Sequence, residues 1–240
     1  MSVDFKVAVV AAMEREVSRL VQDWQVAVTE YEGRTYRFYE NRPVVVVCGG
    51  IGAENARRAA EAVISLYQPR LVISAGFAGA LDRSFQAGQL LTPRHVIDAK
   101  DGSRTDAGSG DGVLVTFDSV ADVEQKARLA DAFGGHAVDM EAAAVARSAT
   151  AHSVKFLALK TISDPHDSRL PPVMRFVGSD GRFQLWRFMV HIAVRPWLWS
   201  DVAKLARNSS VAARVLCEAL SSSGWVSNSA QGRALVGSRT

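Results

Sequence analysis

Hydrophobic and polar positions along this chain switch repeatedly between a strand-like and a helix-like spacing. Val7–Ala12 is a short β-branched run of the kind that forms a buried parallel strand. Met13–Gln22 then places Met13, Val17, Leu20 and Val21 at helical intervals. Tyr31–Tyr39 alternates around Gly33 and predicts a half-exposed strand. Val44–Cys48 is a second buried strand and runs into Gly49-Gly50-Ile51-Gly52. Ala53–Tyr67 carries one apolar face and stops before Pro69, which predicts a helix. Leu71–Ala75 is a third buried strand, ending at Gly76. Gln89–Ile97 and Val113–Phe117 read as strands, and Asp98–Gly112 between them, rich in Asp, Gly and Ser, reads as a loop. Helices follow over Asp122–Phe133 and Met140–Ala151, with a short extended piece at Ala137–Asp139. Lys155–Ile162 is the last strand, and Arg182–Val194 and Ser200–Leu220 are helices parted by Pro196.

This succession predicts a single α/β domain, a mostly parallel mixed sheet flanked by helices on both faces. Its expected extent is residues 1–222, and the small, polar residues 223–240 form a loosely held tail. At 240 residues with 48% hydrophobic and 22% charged, the chain has enough apolar side chains for a substantial core and is not of disordered type. Its apolar runs fall short of the ~18 residues that span a bilayer, and its first residues lack a basic-then-apolar leader, so a cytoplasmic protein is expected. The two cysteines lack CxxC spacing and the five histidines lack paired ligand spacing, which leaves no expectation of a disulfide framework or a metal. Formal charge is only +3, yet from residue 169 onward the acids are just Asp180, Asp201 and Glu218 among many arginines. Without a nucleic-acid motif, that basic end reads as a solvated face or a membrane-surface contact, not a nucleic-acid site.

Ligands of open α/β sheets bind beyond the carboxyl ends of the strands. That rule selects Glu14 and Glu16 after the first strand, Gly49–Gly52, Gly76–Gly79, and Ser163 with Asp164. Glu141 joins them where the extended piece turns into a helix. Gly50-x-Gly52 invites a dinucleotide reading, but Asn55 stands where that fingerprint needs its third glycine. Each acid alone also has a plain role: Asp164 before Pro165 as a turn former, Glu141 as a first-turn acid, Glu16 as a solvated helix residue.

The words around these acids weigh more. AAMEREV (11–17), GGIGAENA (49–56), ISAGFAGAL (73–81), VDMEAAAVA (138–146) and LKTISD (159–164), in that order, resemble the purine nucleoside phosphorylase and methylthioadenosine/S-adenosylhomocysteine nucleosidase superfamily. The resemblance implies cleavage of a purine nucleoside's N-glycosidic bond through an oxocarbenium-like transition state. By the same resemblance Glu16 activates water, and Asp164 with Ser163 holds and protonates the purine. Glu141 clamps the ribose hydroxyls over Met140, while Gly76, Phe77, Ala78, Ile51 and Val120 complete the substrate site. No cofactor is implied, with phosphate as a possible co-substrate, and the partner expected is a homodimer mate. Phe77 departs from the family's usual Ser or Thr, and Val120 from a stacking aromatic. The phosphate-binding arginines of true phosphorylases have no clear counterparts, Arg15 and Arg83 being positional candidates, and the AMExE-type opening favours hydrolysis.

Beyond residue 164, with Leu170-Pro171-Pro172 and a later Asp180-Gly181 followed by helices, the chain is similar to the hopanoid-associated phosphorylase branch, which implies an adenosylated lipid as an alternative substrate and peripheral membrane contact. Trp186, Phe188, Trp197 and Trp199 beside Arg182, Arg187 and Arg195 suit an interface, though core packing with snorkelling arginines accounts for the same pattern. A non-catalytic nucleoside-binding module is the competing class.

Overall fold

The computed structural model describes residues 6–168, 170, 173–178, 181 and 183–223. Its centre is β1 (Val7–Ala11), buried along its whole length, lying parallel between β4 (Val44–Cys48) and β5 (Leu71–Ala80). The side chains of β1 alternate between two apolar layers. Val7, Val9 and Ala11 pack with Val17 and Leu20 of α1 (Glu14–Val21) and with Leu216 and Leu220 of α6 (Trp199–Ser222). Ala8 and Val10 face the other way, toward Ala56, Ala59 and Val63 of α2 (Ala53–Tyr67) and Val145 and Ala146 of α4 (Ala142–Ala151). A strand covered on both faces has no polar side to show, and hence its unbroken apolar run.

On one flank β2 (Gln25–Tyr31) and β3 (Arg34–Asn41) extend the sheet antiparallel from β4. On the other, β10 (Ala137–Asp139), β9 (Val113–Thr116) and β7 (His95–Asp98) run parallel to one another. β10 meets the end of β5 antiparallel, and β8 (Arg104–Asp106) closes that edge. β11 (Lys155–Asp164) lies parallel along the full length of β5 and takes the short β6 (Leu90–Leu91) on its far side. α3 (Val123–Phe133) precedes β10, and α5 (Leu185–Ala193) precedes α6.

The fold class is the one expected, and several element bounds are corrected. The strand expected over Tyr31–Tyr39 is β3 from Arg34 onward, but its first residues are the end of β2 and a hairpin turn, with Glu32 and Gly33 at φ 48° and 72°. Successive positive φ values are what a two-residue hairpin turn requires. The strand expected to stop at Gly76 continues to Ala80, because β11 keeps pairing with it as far as Gly79. Here glycine marks close approach of neighbouring groups within a strand, not its end. β11 likewise runs on to Asp164, past a bulge after Ile162. Gln89–Ile97 divides into β6 and β7, the expected loop over 98–112 contains β8, and α4 starts at Ala142, two residues later than expected. Arg182 and the tail beyond 223 lie outside the described residues.

Candidate active site

β1 ends at Ala11 and α1 begins at Glu14, leaving the N–H groups of the turn between them unpaired by the helix. Glu16 turns its side chain back to satisfy them. Its Oε2 accepts the N–H of Ala12 at 3.0 Å and of Met13 at 2.9 Å, while Oε1 accepts the N–H of Phe77 at 3.2 Å. Glu14 and Arg15 just before it are exposed, but Glu16 is 2% exposed, so the solvated-helix role is excluded for it. Burial raises its pKa, against the opposing pull of the Met13 N–H and the nearby Lys160 ammonium. Gly76 stands directly behind it. A Cβ there would lie 3.2 Å from Glu16 Oε1, so the missing side chain is what lets the carboxylate sit against β5.

The glycine segment after β4 serves the protein's own groups. The N–H groups of Gly49 and Gly50 donate to the carbonyls of Ala11 and Ala12, and that of Ile51 to the carbonyl of Gly181. The N–H of Gly52 donates to Glu141 Oε1 at 2.8 Å. All four donors are engaged, so the glycine segment itself offers no backbone N–H to a dinucleotide pyrophosphate. Asn55, in the place of the fingerprint's third glycine, ties the segment down through its amide to the Ile51 carbonyl at 2.9 Å.

Glu141 is the residue just before α4, and its second oxygen lies 3.3 Å from the Met140 N–H. Burial, and then the neighbouring Asp139 carboxylate, push its pKa up to about 7. Below it lies a pair that the sequence reading missed. Lys160, 1% exposed, is 2.8 Å from Asp139 Oδ2, and Asp139 also accepts from the Thr116 hydroxyl at 2.7 Å and the Ala142 N–H at 2.9 Å. Burial alone would lower the Lys160 pKa, but Asp139 and Glu141 outweigh it and the net shift is upward. Its charge also pulls against the upward shifts of Glu16 and Glu141.

Asp164, 6% exposed, ends β11 in an ion pair with Lys126 of α3, itself 2% exposed. Its other oxygen, Oδ1, accepts the Ser163 hydroxyl at 2.7 Å, and Lys126 Nζ also donates to the Pro165 carbonyl at 2.9 Å. Gly79 makes the room: a Cβ there would fall 2.8 Å from Asp164 Oδ2 and 3.2 Å from Lys126 Cε. Asp164 is therefore no simple turn former.

These groups face one cavity of about 330 Å³ at the carboxyl edge of β1, β5 and β11. Glu16, Glu141, Ser163 and Asp164 line it, and so do Ile51, Phe77, Ala78, Val120 and Met140; Gly76 backs Glu16 from outside the wall. Of the two candidate arginines, Arg15 belongs to the wall and lies 5.7 Å from the centre of the Phe77 ring, whereas Arg83 is exposed and away from it. The C-terminal helices add an apolar part of the wall through Leu185, Phe188, Met189, Val202 and Leu205, while Lys126 and Asp139 belong to its polar part. No sequence motif announced that wall. Lys126 was missed because its neighbours Glu124, Gln125 and Arg128 read as a solvated helix. Its spacing of three and seven residues from Leu129 and Phe133 was the available signal.

A family model described as the phosphorylase superfamily matches residues 6–123 and 111–220. A 5′-methylthioadenosine/S-adenosylhomocysteine nucleosidase of Exiguobacterium is 29% identical, over 68% of this chain and 86% of that protein. The structure of a nucleosidase of the same description from Neisseria meningitidis, in complex with methylthio-immucillin-A, superposes with a TM-score of 0.66 at 19% identity. That match covers 89% of this chain and 95% of the other. A Helicobacter pylori structure with 5′-methylthioadenosine in its active site gives a TM-score of 0.67 at 16% identity, covering 95% and 98%. Matched by its family model from the first strand almost to the end of the last helix, this chain belongs to the phosphorylase superfamily.

Proposed function

We propose that this chain hydrolyses the N-glycosidic bond of an adenine nucleoside. The observation that carries the reading is the meeting of Glu16, Glu141 and Asp164 in one cavity beyond the strand ends. In this reading Glu16 takes a proton from the attacking water. Oε2 already accepts two N–H groups and Oε1 only one, so Oε1 keeps a free lone pair for that water. Glu141 accepts the ribose hydroxyls, and Asp164 meets the departing purine. The relatives named as methylthioadenosine/S-adenosylhomocysteine nucleosidases support an adenine nucleoside as the substrate. Water is favoured over phosphate because the buried Glu16 carboxylate occupies the N–H groups of Ala12 and Met13 in the turn before α1 and repels a second anion there. Incubation with methylthioadenosine, with and without phosphate, tests this. Adenine release at the same rate in both, with free sugar as co-product, is expected. A sugar 1-phosphate would replace hydrolysis with phosphorolysis, and tight binding without release would make the chain a nucleoside-binding module.

One observation favours a second substrate. Leu185 and Met189 belong to the cavity wall, yet they are 60% and 56% exposed and lead onto the exposed Trp186, Val190, Trp197 and Trp199. Arg187 and Arg195 stand beside this apolar face. A nucleoside with a long apolar 5′ group, such as the adenosylated lipid of the hopanoid-associated branch, would leave the cavity along it, with the protein at the membrane surface. Phe188 does not join that face, being buried between Phe176 and Phe183. A homodimer mate covering the same residues is the competing arrangement, and sedimentation in the absence of lipid separates the two.

A further inference from the structure

The Asp164 carboxylate has both oxygens accepting: Oδ1 from the Ser163 hydroxyl and Oδ2 from the Lys126 ammonium. The Ser163 hydroxyl carries one hydrogen, and its geometry assigns that hydrogen to Asp164 at 2.7 Å over the Ala78 carbonyl at 3.4 Å. Arranged this way, Asp164 has no proton of its own to give a leaving purine. The proton-bearing group at this end of the cavity is Lys126, which lines the same wall and carries three N–H bonds. Asp164 and the Pro165 carbonyl engage two of them. A lysine and a carboxylate in contact, 2% and 6% exposed, form a pair across which a proton moves without crossing water. Gly79 shows the pair to be built in, since any side chain there would strike both members.

Resting on the nucleosidase reading above, we propose that Lys126 is the source of the proton delivered to the departing purine, acting through Asp164. As the C1′–N9 bond breaks, its electron pair goes to the purine; Lys126 Nζ gives a proton to Asp164 Oδ2, and Asp164 hands that same proton to N7. Water bonds to C1′ and leaves its extra proton on Glu16. Lys126 ends neutral and Glu16 protonated, and exchange of one proton each with solvent resets both, so the net reactants are one nucleoside and one water. Lys126 is a positioning and proton-supplying residue, and Asp164 remains the group that touches the base.

The test compares Lys126→Arg and Lys126→Met on methylthioadenosine and on 4-nitrophenyl riboside, whose leaving group departs as a stable anion and needs no proton. Arginine keeps the charge and the hydrogen bonds but does not give up a proton. Both variants are expected to lose roughly 10²–10⁴-fold in turnover of methylthioadenosine, the usual worth of a positioned acid. Both are expected to lose at least about ten-fold less on the nitrophenyl substrate than on methylthioadenosine, because its leaving group needs no proton. If Lys126→Arg restores purine release, the lysine is only a charge partner and the proposal is overturned. Equal losses on the two substrates would likewise make it a structural brace. Should Lys126→Met fail to fold, the arginine variant decides alone. Wild-type enzyme that cleaves neither substrate overturns the parent reading instead, which separates the two failures.

Discussion

Two parts of the cavity wall are built on opposite principles. On the sheet side, almost every polar atom has a named partner: Glu16 holds three backbone N–H groups, Glu141 the Gly52 N–H, Asp164 a lysine and a serine, and Lys160 sits under them on Asp139. On the cap side, α5 and α6 offer aliphatic and aromatic side chains, and several of these are more exposed than buried. Hydrogen bonds fix a group in distance and angle, whereas apolar contact fixes little more than volume. The sheet side is thereby suited to one reaction geometry, and the cap, under the proposed function, would define which 5′ substituent fits.

The comparison breaks first at its polar side. Glu16→Gln should reduce turnover by roughly 10²–10⁴-fold, because the amide cannot take a proton from water and presents an N–H toward one of the backbone donors. Asp164→Asn should cost a similar factor and also stability. Removing one member of a buried ion pair leaves Lys126 uncompensated, at about 3–5 kcal/mol, so thermal unfolding should shift downward along with the loss of activity. An Asp164→Asn protein as stable as the wild type would mean that the pair is solvated in solution.

A smaller and more selective effect belongs to Glu141. Glu141→Gln should weaken ribosides by about 10²-fold in kcat/KM, for the loss of charge-assisted bonds to two hydroxyls, and 2′,3′-dideoxy analogues far less. Its pH dependence follows from a pKa pushed up to about 7 from an ordinary 4.5. The folded protein holds this proton more tightly than the unfolded chain does. The group's contribution to stability is therefore complete below about 4.5 and is lost as pH rises through about 7. In the proposed role of Glu141, affinity for the ribose hydroxyls should run the other way, rising over the same window as the carboxylate ionises. In Glu141→Gln both trends should flatten, as followed by unfolding midpoints and KM from pH 5 to 8.

How much of this was legible in the chain depended on how local the signal was. α2 lies at its expected bounds, because Gly52 and Pro69 flank a clean amphipathic run. Glu16, Glu141 and Asp164 were found because each sits within a short recognisable word. The partners of those acids were not, because the words contain only one side of each pair. Lys160 sits between Leu159 and Thr161 in an apolar strand, and a lysine there demands a carboxylate, but nothing local says that Asp139, on another strand, supplies it. Gly76 and Gly79 read as a strand end, since the atoms that need their space, on Glu16 and Asp164, lie far along the sequence. The cap was legible as helices and illegible as cavity wall, because apolar spacing says that a face is covered and not by what.

The smallest effect on chemistry and the sharpest on location is expected at the cap. Trp186 and Trp197 are 71% and 69% exposed, and neither is in the cavity wall. Replacing both with Ser removes apolar area that contacts nothing in the described chain's core, so stability and turnover of methylthioadenosine should stay at wild-type values. If the face binds a membrane, the double variant should lose flotation with vesicles of anionic phospholipid while the wild type floats, since aromatic insertion and the attraction of Arg187 and Arg195 act together. Salt should weaken the wild-type binding, because the arginine part is screened over about 8–10 Å. A wild type that does not float but sediments as a dimer, and a Trp186→Ser, Trp197→Ser protein that sediments as a monomer, would give the face to a second copy of the chain. The cap would then close the 5′ end of the cavity through its mate, and the cavity would suit a small nucleoside alone.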